Sequence, residues 1–489
     1  MFSWVCKMAP SFHLSGNKIE IIEGPREFHE KLKELSLKSK KRILLGSLYL
    51  GISPLEQELV DSIKDALRES DKTDNGKLRV TVVLDYMRAS RGFKNSRTML
   101  LSLINHHSSP SSTLPSSSSL NLYLFHTPDL RGWLKKCLPE RFNEVVGLFH
   151  IKAYIFDDHI IISGSNLSET YFSSRQDRYV LIKNFKPLAD FYHQLFDIIS
   201  KYSFSVGSDD SLHYGDVPHP YSETNKKFRE NMKGEVEELI HSYMIAYNNN
   251  NTGNYHNDDN DIDNNNDERS HNETDTVIYP LIQMGPMNVT QDEKLTTKLL
   301  THFPKNSRVY LASGYFNITD EYIDIIIRSS SSFFHILTAA PQANSFYKSA
   351  GLSGSIPPAY TYIASRFLEQ VKNSQQTSRI KMYEYNRPNW TVHSKGVWLY
   401  PPSDQNGPDL PYLTLVGSSN YGYRSVKRDL ESQLLIITNN KNLQMKLHQA
   451  SQKLCIQDSY ELTADVLKED DRKVPYWVTL VAPRVKTFF

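Results

Sequence analysis

Three cysteines in 489 residues, Cys6, Cys137 and Cys455, are too few and too scattered for a disulfide framework, and no pair has metal-ligand spacing. They read as buried or incidental thiols. No run approaches the roughly eighteen apolar residues that a membrane-spanning helix needs, so any lipid would be met at the bilayer surface. A surplus of one charge is also missing. The 56 Lys+Arg nearly cancel the 55 Asp+Glu, which removes the global argument for a nucleic-acid partner, and none is expected. The N-terminus has neither the charge nor the apolar stretch of a secretory signal. Lys7 and Lys18 without an acid, beside Phe2, Trp4 and Val5, make at best a weak organelle-targeting segment. Three stretches lack core-forming pattern: serine-rich 108–119, asparagine- and aspartate-rich 248–272, and proline-bearing 401–411. The first two are expected to be mobile insertions.

What remains, with 39% hydrophobic and 23% charged residues, suits about two to four soluble domains. Apolar runs at 42–50, 78–86, 121–125, 149–156 and 159–163 predict strands, with helices over 55–67 and 187–199. The order returns later: strands at 308–314, 333–339, 380–385, 392–399, 413–417 and 430–437, helices at 318–327 and 443–454. Two α/β halves are expected, each a mixed sheet flanked by helices. The boundaries read as an N-terminal segment 1–24, a first half 25–220, a helical and Asn/Asp-rich linker 221–277, a second half 278–470, and a C-terminal segment 471–489 that adds a strand or packs against the second half.

Each half carries one H-x-K tripeptide, His150-Ile151-Lys152 and His393-Ser394-Lys395, followed by an asparagine run, Gly164-Ser165-Asn166 and Gly417-Ser418-Ser419-Asn420. One H-x-K among 17 histidines is expected by accident; two at matching places predict a single pocket assembled from both halves. On a strand, positions i and i+2 share a face, so each histidine emerges beside its lysine. That pair suits a phosphate ester: imidazole attacks phosphorus or protonates a leaving group, and ammonium offsets charge on the non-bridging oxygens. Asn166 and Asn420 offer amide donors to the same oxygens. A nucleophilic imidazole also needs an acceptor on its other nitrogen. Asp177 and Glu431, each eleven residues after its asparagine, are the candidates. Sequence leaves open whether each carboxylate serves its own half or crosses to the other.

These motifs resemble the phospholipase D superfamily, whose signature is H-x-K-x4-D with a later G-x-x-N. His150, Lys152, Asp157 and Asn166 fit the first copy; in the second, Tyr400 stands where the aspartate belongs. The chain is more closely similar to the eukaryotic phosphatidylglycerophosphate synthase family, through GSLYLG at 46–51, LDYMRASRG at 84–92, LASGYFN at 311–317, HSKGVWLY at 393–400 and LTLVGSSNYGYRSVKRDLESQL at 413–434. The family shares the missing second aspartate. The resemblance implies a duplicated phospholipase D-like fold with one shared active site. It implies transfer of a phosphatidyl group from CDP-diacylglycerol to sn-glycerol 3-phosphate through a phosphohistidine, at the matrix-facing surface of the mitochondrial inner membrane. His150 would be nucleophile and His393 proton donor, though the local sequence would equally allow the reverse. Asp157 joins the catalytic set by resemblance. No cofactor or metal is implied, so activity should survive a strong chelator.

Arg88, Arg91, Arg424 and Arg428 are candidate grips for substrate phosphates. Tyr49 and Tyr315 stand in corresponding opening strands, where core packing competes with pocket lining. Trp398, Tyr400, Tyr412, Tyr421 and Tyr423 are candidates for a lip at the membrane surface, against burial in the core. Two rival readings are a phosphodiesterase or nuclease that uses water as acceptor, and an inactive scaffold.

Overall fold

The structure, a computed structural model, describes residues 2–72, 77–107, 119–139, 143–222, 224–248, 274–402 and 409–488. Most of the serine-rich and asparagine-rich stretches, and the middle of the 401–411 insertion, lie outside the described residues.

Seven strands occur in the same spatial order in each of two sheets. In the first they run Ser119–Phe125, Arg79–Asp85, Arg42–Gly46, Ala153–Phe156, His159–Ser163, Tyr179–Ile182 and Ile19–Ile22. In the second the counterparts are Ile380–Tyr385, Phe333–Ala339, Arg308–Ser313, Lys395–Tyr400, Leu413–Gly417, Leu430–Thr438 and Thr276–Met284. The first three of each set are parallel and the remainder antiparallel. The duplicated phospholipase D-like architecture is therefore present: two mixed sheets with helices against them. Crossover helices explain the parallel part. Pro54–Asp71, for example, starts on a Ser53–Glu56 capping box with Pro54 in its first turn, and buries Leu59, Ile63 and Leu67 against the sheet.

One hydrophobic core is common to both halves. Leu44, Ile155 and Ile162 from the first sheet and Ile278, Val416 and Leu434 from the second enclose helices Lys186–Lys201, Lys226–Asn248 and Lys441–Gln452. Separate outer cores lie beyond each sheet. Burial of apolar surface on both faces is what reads as near-continuous apolar strands such as Leu413–Gly417.

Several boundaries differ from those read in the sequence. Ile19–Ile22 already belongs to the first sheet, whereas Phe12–Leu14 pairs with Thr276–Met284 at the edge of the second. Phe2 and Val5 are buried in the second half's outer core, so the N-terminal residues are part of the fold. The C-terminal segment adds no strand; its helix Tyr476–Val485 lies against helix Ile356–Asn373. Thr276–Met284 escaped the sequence reading because it contains Pro280. Its neighbour Phe12–Leu14 pairs only as far as Ile278, so Pro280 faces an open edge where its missing N–H leaves no partner wanting.

Candidate active site

Neither H-x-K tripeptide lies within a regular strand, and this decides the geometry of the pocket. The strands expected over 149–156 and 392–399 are interrupted there, and regular pairing resumes only at Ala153 and Lys395. Each histidine segment instead leaves its own sheet and pairs with the other half. The His150 N–H donates to Leu430 O at 2.9 Å, and the Leu430 N–H to Leu148 O at 2.9 Å. Symmetrically, the His393 N–H donates to Gln176 O at 2.8 Å, and Thr391–Val392 forms a two-residue parallel ladder with Arg175–Gln176. Leu430 and Gln176 immediately precede Glu431 and Asp177. The carboxylates are thereby delivered to the histidines of the opposite half.

The two pairs are crossed. His150 Nδ1 lies 2.9 Å from both Glu431 oxygens, and His393 Nδ1 lies 2.8 Å from Asp177 Oδ2. A carboxylate accepts only, so each Nδ1 carries the hydrogen and each Nε2 is left for chemistry. Ser425 Oγ donates to Glu431 at 2.7 Å. Lys152 Nζ donates to His150 O at 2.8 Å and Lys395 Nζ to His393 O at 2.6 Å, which tethers each ammonium beside its ring. Lys395 Nζ is also 2.7 Å from His393 Nδ1 and 3.1 Å from Nε2. Because Asp177 holds the Nδ1 hydrogen, Lys395 acts on that ring as a neighbouring charge.

All these groups are buried, and burial dominates their protonation. It drives His150 well below the ordinary histidine value, helped by Lys152; the same combination, with Lys395 as the principal charge, lowers His393. Glu431 is pushed up to about 7 by burial against the pull of Lys152, and Asp177 is raised by burial. Burial lowers Lys152, and it lowers Lys395 to about 8. Burial and the neighbouring lysines thus favour the neutral form of both imidazoles, with each Nε2 turned away from its carboxylate.

The asparagine runs close the floor. Asn166 and Asn420 are buried or nearly so, and their Oδ1 atoms have no hydrogen-bond partner among the described residues. Gly164 has no room for a side chain: a Cβ there would come within 2.8 Å of Lys395 Cδ and 2.9 Å of the Asp177 carboxylate.

The other candidates divide. Arg424 belongs to the pocket wall, where its Nε donates to Asp429 Oδ2 at 2.9 Å. Arg88 lies 4.5 Å over the Tyr49 ring, and both Arg88 and Arg91 pair with Glu144, at 3.4 and 2.9 Å. Arg428 turns away to the C-terminal segment, donating to Thr487 O at 3.2 Å. Tyr49 and Tyr315 are half-buried and occupy matching positions, each with its carbonyl accepting from the serine two residues earlier, Ser47 or Ser313. The Tyr315 ring stands edge-on to His393 at 5.6 Å.

Two expectations fail. Asp157, carried into the catalytic set, sits at the far end of strand Ala153–Phe156, in a left-handed turn at φ 52°. Its carboxylate accepts the backbone N–H groups of Lys40, Lys41 and Arg42 at 2.9, 2.7 and 3.0 Å. It anchors the start of Arg42–Gly46 and does not reach the pocket. The aromatic lip fails as well: Trp398 and Tyr400 are fully buried because Lys395–Tyr400 is an inner strand covered on both faces, Tyr421 is buried in the second half's outer core, and Tyr412 and Tyr423 are half-buried.

The sequence reading missed four contributors. Arg175 lies 4.5 Å over Tyr171, whose ring is edge-on to His393 at 5.1 Å, and Arg175 opposes protonation of that histidine. Asp429 holds the corresponding place beside His150, two residues before the carboxylate in each half. Ser425 supports Glu431. Asp85, pushed up to about 7 by burial, accepts from the Phe149 and Arg88 N–H groups, both at 2.9 Å, and fastens LDYMR to the strand entering the pocket. Doubling the eleven-residue spacing into a full alignment of the two halves would have exposed the Arg175–Asp429 contrast. His150, Asp429 and Glu431 present ligand atoms within 4.8 Å of one another, but both carboxylates already accept from His150, Ser425, Arg424 and the Leu148 N–H.

No family model matches the chain. It is 40% identical over 496 residues to the mitochondrial CDP-diacylglycerol–glycerol-3-phosphate 3-phosphatidyltransferase of Gallus gallus, covering 100% of this chain and 86% of the relative. It is 34% identical to the enzyme of that name from Saccharomyces pastorianus, covering 95% and 86%. A probable member from Dictyostelium discoideum is 37% identical over 91% of this chain and 74% of its own length. Among solved structures, phosphatidylserine synthase of Haemophilus influenzae superposes with a TM-score of 0.71 at 20% identity, covering 99% and 98%, which establishes the shared fold. By full-length likeness to these relatives, carried on a fold with two crossed histidine–carboxylate pairs, the chain belongs to the CDP-diacylglycerol–glycerol-3-phosphate 3-phosphatidyltransferase family.

Proposed function

We propose that this chain transfers the phosphatidyl group of CDP-diacylglycerol to sn-glycerol 3-phosphate by way of a phosphohistidine, giving phosphatidylglycerophosphate and CMP. The observation that carries this reading is the crossed pairing, in which each Nδ1 is tied to a carboxylate of the opposite half and two Nε2 atoms share one cationic pocket. Membership of the family supplies the substrate class.

His150 Nε2 attacks the phosphorus that bears diacylglycerol; the N–P bond forms as the P–O bond to CMP breaks, and a proton from His393 Nε2 goes to CMP. The bound diphosphate supplies the negative charge that lets His393 hold this proton despite its burial. The free primary hydroxyl of glycerol 3-phosphate then gives its proton to His393 Nε2 as its oxygen displaces His150 from phosphorus. Lys152 and Lys395, with the amides of Asn166 and Asn420, stabilise the equatorial oxygens through both steps. Arg175, Arg424 and Arg88 take the remaining phosphates of donor and acceptor in this reading. Glu431 steadies the imidazolium that forms when His150 carries phosphorus.

No described helix is long and apolar enough to cross a membrane. The vertebrate relatives are mitochondrial proteins, which supports a mitochondrial site of action, assigned here to the matrix face of the inner membrane. The test is release of CMP from CDP-diacylglycerol with and without glycerol 3-phosphate. Release that depends on the acceptor and matches phosphatidylglycerophosphate formed is expected; acceptor-independent hydrolysis would make the chain a phosphodiesterase.

A further inference from the structure

Four exposed large hydrophobic side chains share one short helix, Tyr476–Val485. Tyr476–Val485 buries Val478 and Ala482, one turn apart, against Ala359 and Tyr362 of helix Ile356–Asn373. Its opposite face carries Tyr476, Trp477, Leu480 and Val481, which are 78, 46, 46 and 41% exposed. Positions i, i+1, i+4 and i+5 form one stripe, so the helix is apolar on two sides while only one is covered. Soluble proteins seldom leave such a stripe open without a partner.

The surroundings select the partner. From Lys473 to the end of the chain there are three cations, Lys473, Arg484 and Lys486, and no acid. Lys473 and Lys486 reach Asp470 and Asp320 at the two ends of the segment, both at 2.7 Å, whereas the exposed Arg484 donates to the Leu480 carbonyl of its own helix. A Trp/Tyr/Leu stripe with Arg484 at its edge suits an anionic lipid interface, with aromatic rings at headgroup depth and the guanidinium reaching out to a headgroup.

The strap after the helix is tied to segments that flank the active site. The Asn317 side-chain amide donates to Lys486 O at 2.5 Å, and Arg428 donates to Thr487 O at 3.2 Å, so the strap that follows the helix rests on both opening-strand and asparagine-run segments. Beneath it, Tyr360 of the supporting helix stacks on Tyr315 at 5.6 Å, and Tyr315 meets His393 at 5.6 Å. Exposed Phe346 and Tyr347 border the same wall, Phe346 being 6.3 Å from Tyr315.

We propose that helix Tyr476–Val485 docks the protein on an anionic bilayer, seating Tyr476, Trp477, Leu480 and Val481 at the interface beside the mouth of the histidine pocket. This rests on the phosphatidyl-transfer reading, which requires a substrate held in a membrane. It replaces the buried Trp398–Tyr400 lip with a surface that is available.

The test is flotation of the full chain with phosphatidylcholine vesicles that contain phosphatidylglycerol, and with pure phosphatidylcholine vesicles. Neither CDP-diacylglycerol nor glycerol 3-phosphate is present, so a failed transfer assay and a failed docking test are separate results. The wild type is expected to float with the anionic vesicles. The double variant Trp477→Glu/Leu480→Glu should lose about tenfold or more in partitioning, since it adds two acids to the exposed stripe that would enter the interface. Leu37→Glu, on the exposed side of helix Pro25–Lys38, should float like the wild type. Tyr476→Ser, at a ring already mostly in solvent, should lose about threefold and keeps the test open if the double variant fails to fold. Undiminished flotation of folded variants, no flotation of the wild type, or a solution dimer that Trp477→Glu/Leu480→Glu dissociates would each overturn the assignment.

Discussion

Glu431→Gln keeps the size of the side chain and removes only its charge, which makes it the sharpest perturbation of the crossed geometry. In the wild type the carboxylate meets His150 Nδ1 at 2.9 Å, with Ser425 as a second donor. A hydrogen bond to a charged acceptor contributes about 1.5–3 kcal/mol. When His150 bonds phosphorus its ring becomes cationic, and two opposite charges about 4 Å apart at an effective dielectric near 20 attract by about 4 kcal/mol. These terms overlap, so a loss of about 3–5 kcal/mol is expected in the transition state, or about two to four orders of magnitude in kcat/KM. Asp177→Asn should do the same through His393, held at 2.8 Å. Activity alone cannot tell a crossed pairing from one within each half, but ring nitrogens can. In protein labelled with nitrogen-15 at histidine, with resonances assigned by His150→Ala and His393→Ala, Glu431→Gln should shift the His150 Nδ1 signal and Asp177→Asn that of His393. The opposite pattern, or kcat/KM within about threefold of wild type for both variants, would refute the reasoning.

Asp157→Ala should cost about 2–3 kcal/mol of stability, because three backbone N–H groups lose their acceptor, while kcat of the folded fraction stays within about twofold of wild type; a catalytic collapse in folded protein would return Asp157 to the site. Asp292 is buried and pushed up to about 6, accepting from Thr296 Oγ1 at 2.8 Å and Gln433 Nε2 at 2.6 Å. A raised carboxylate favours the folded state below its unfolded value near 3.8 and loses that contribution as pH climbs to about 6. Relative to Asp292→Asn, wild-type stability in urea should therefore fall by about 1 kcal/mol between pH 5 and 6 and level off above. A difference that stays constant with pH, or grows, contradicts it.

The duplicated order of strands was legible because alternating and continuous apolar runs survive in both halves, and the chemistry was legible because His150, Lys152, His393, Lys395 and the two asparagines recur at matched intervals. Which carboxylate serves which histidine was not, since the answer lies in a chain crossing: residues 148–150 and 391–393 abandon their own sheets to pair with Leu430 and with Arg175–Gln176. Local periodicity carries no information about that exchange. Asp157 shows the converse case, where a residue grouped with the catalytic set by its place in a motif has a purely structural task, set by its left-handed turn and three backbone donors. Trp398 and Tyr400 looked like membrane anchors by composition, and only the sheet order reveals that their strand is internal. The helix Tyr476–Val485 carries a pattern just as aromatic, and solvent exposure alone separates the two cases.

The claim on which everything else depends is that His150 holds the phosphatidyl group between donor and acceptor. Radiolabelled CMP, incubated with CDP-diacylglycerol and the enzyme without glycerol 3-phosphate, measures this directly. Label should enter CDP-diacylglycerol as the phosphohistidine forms and reverts, and His150→Ala should abolish the exchange. Robust synthesis of phosphatidylglycerophosphate by an enzyme that shows no exchange would contradict the account and point to direct attack by the acceptor.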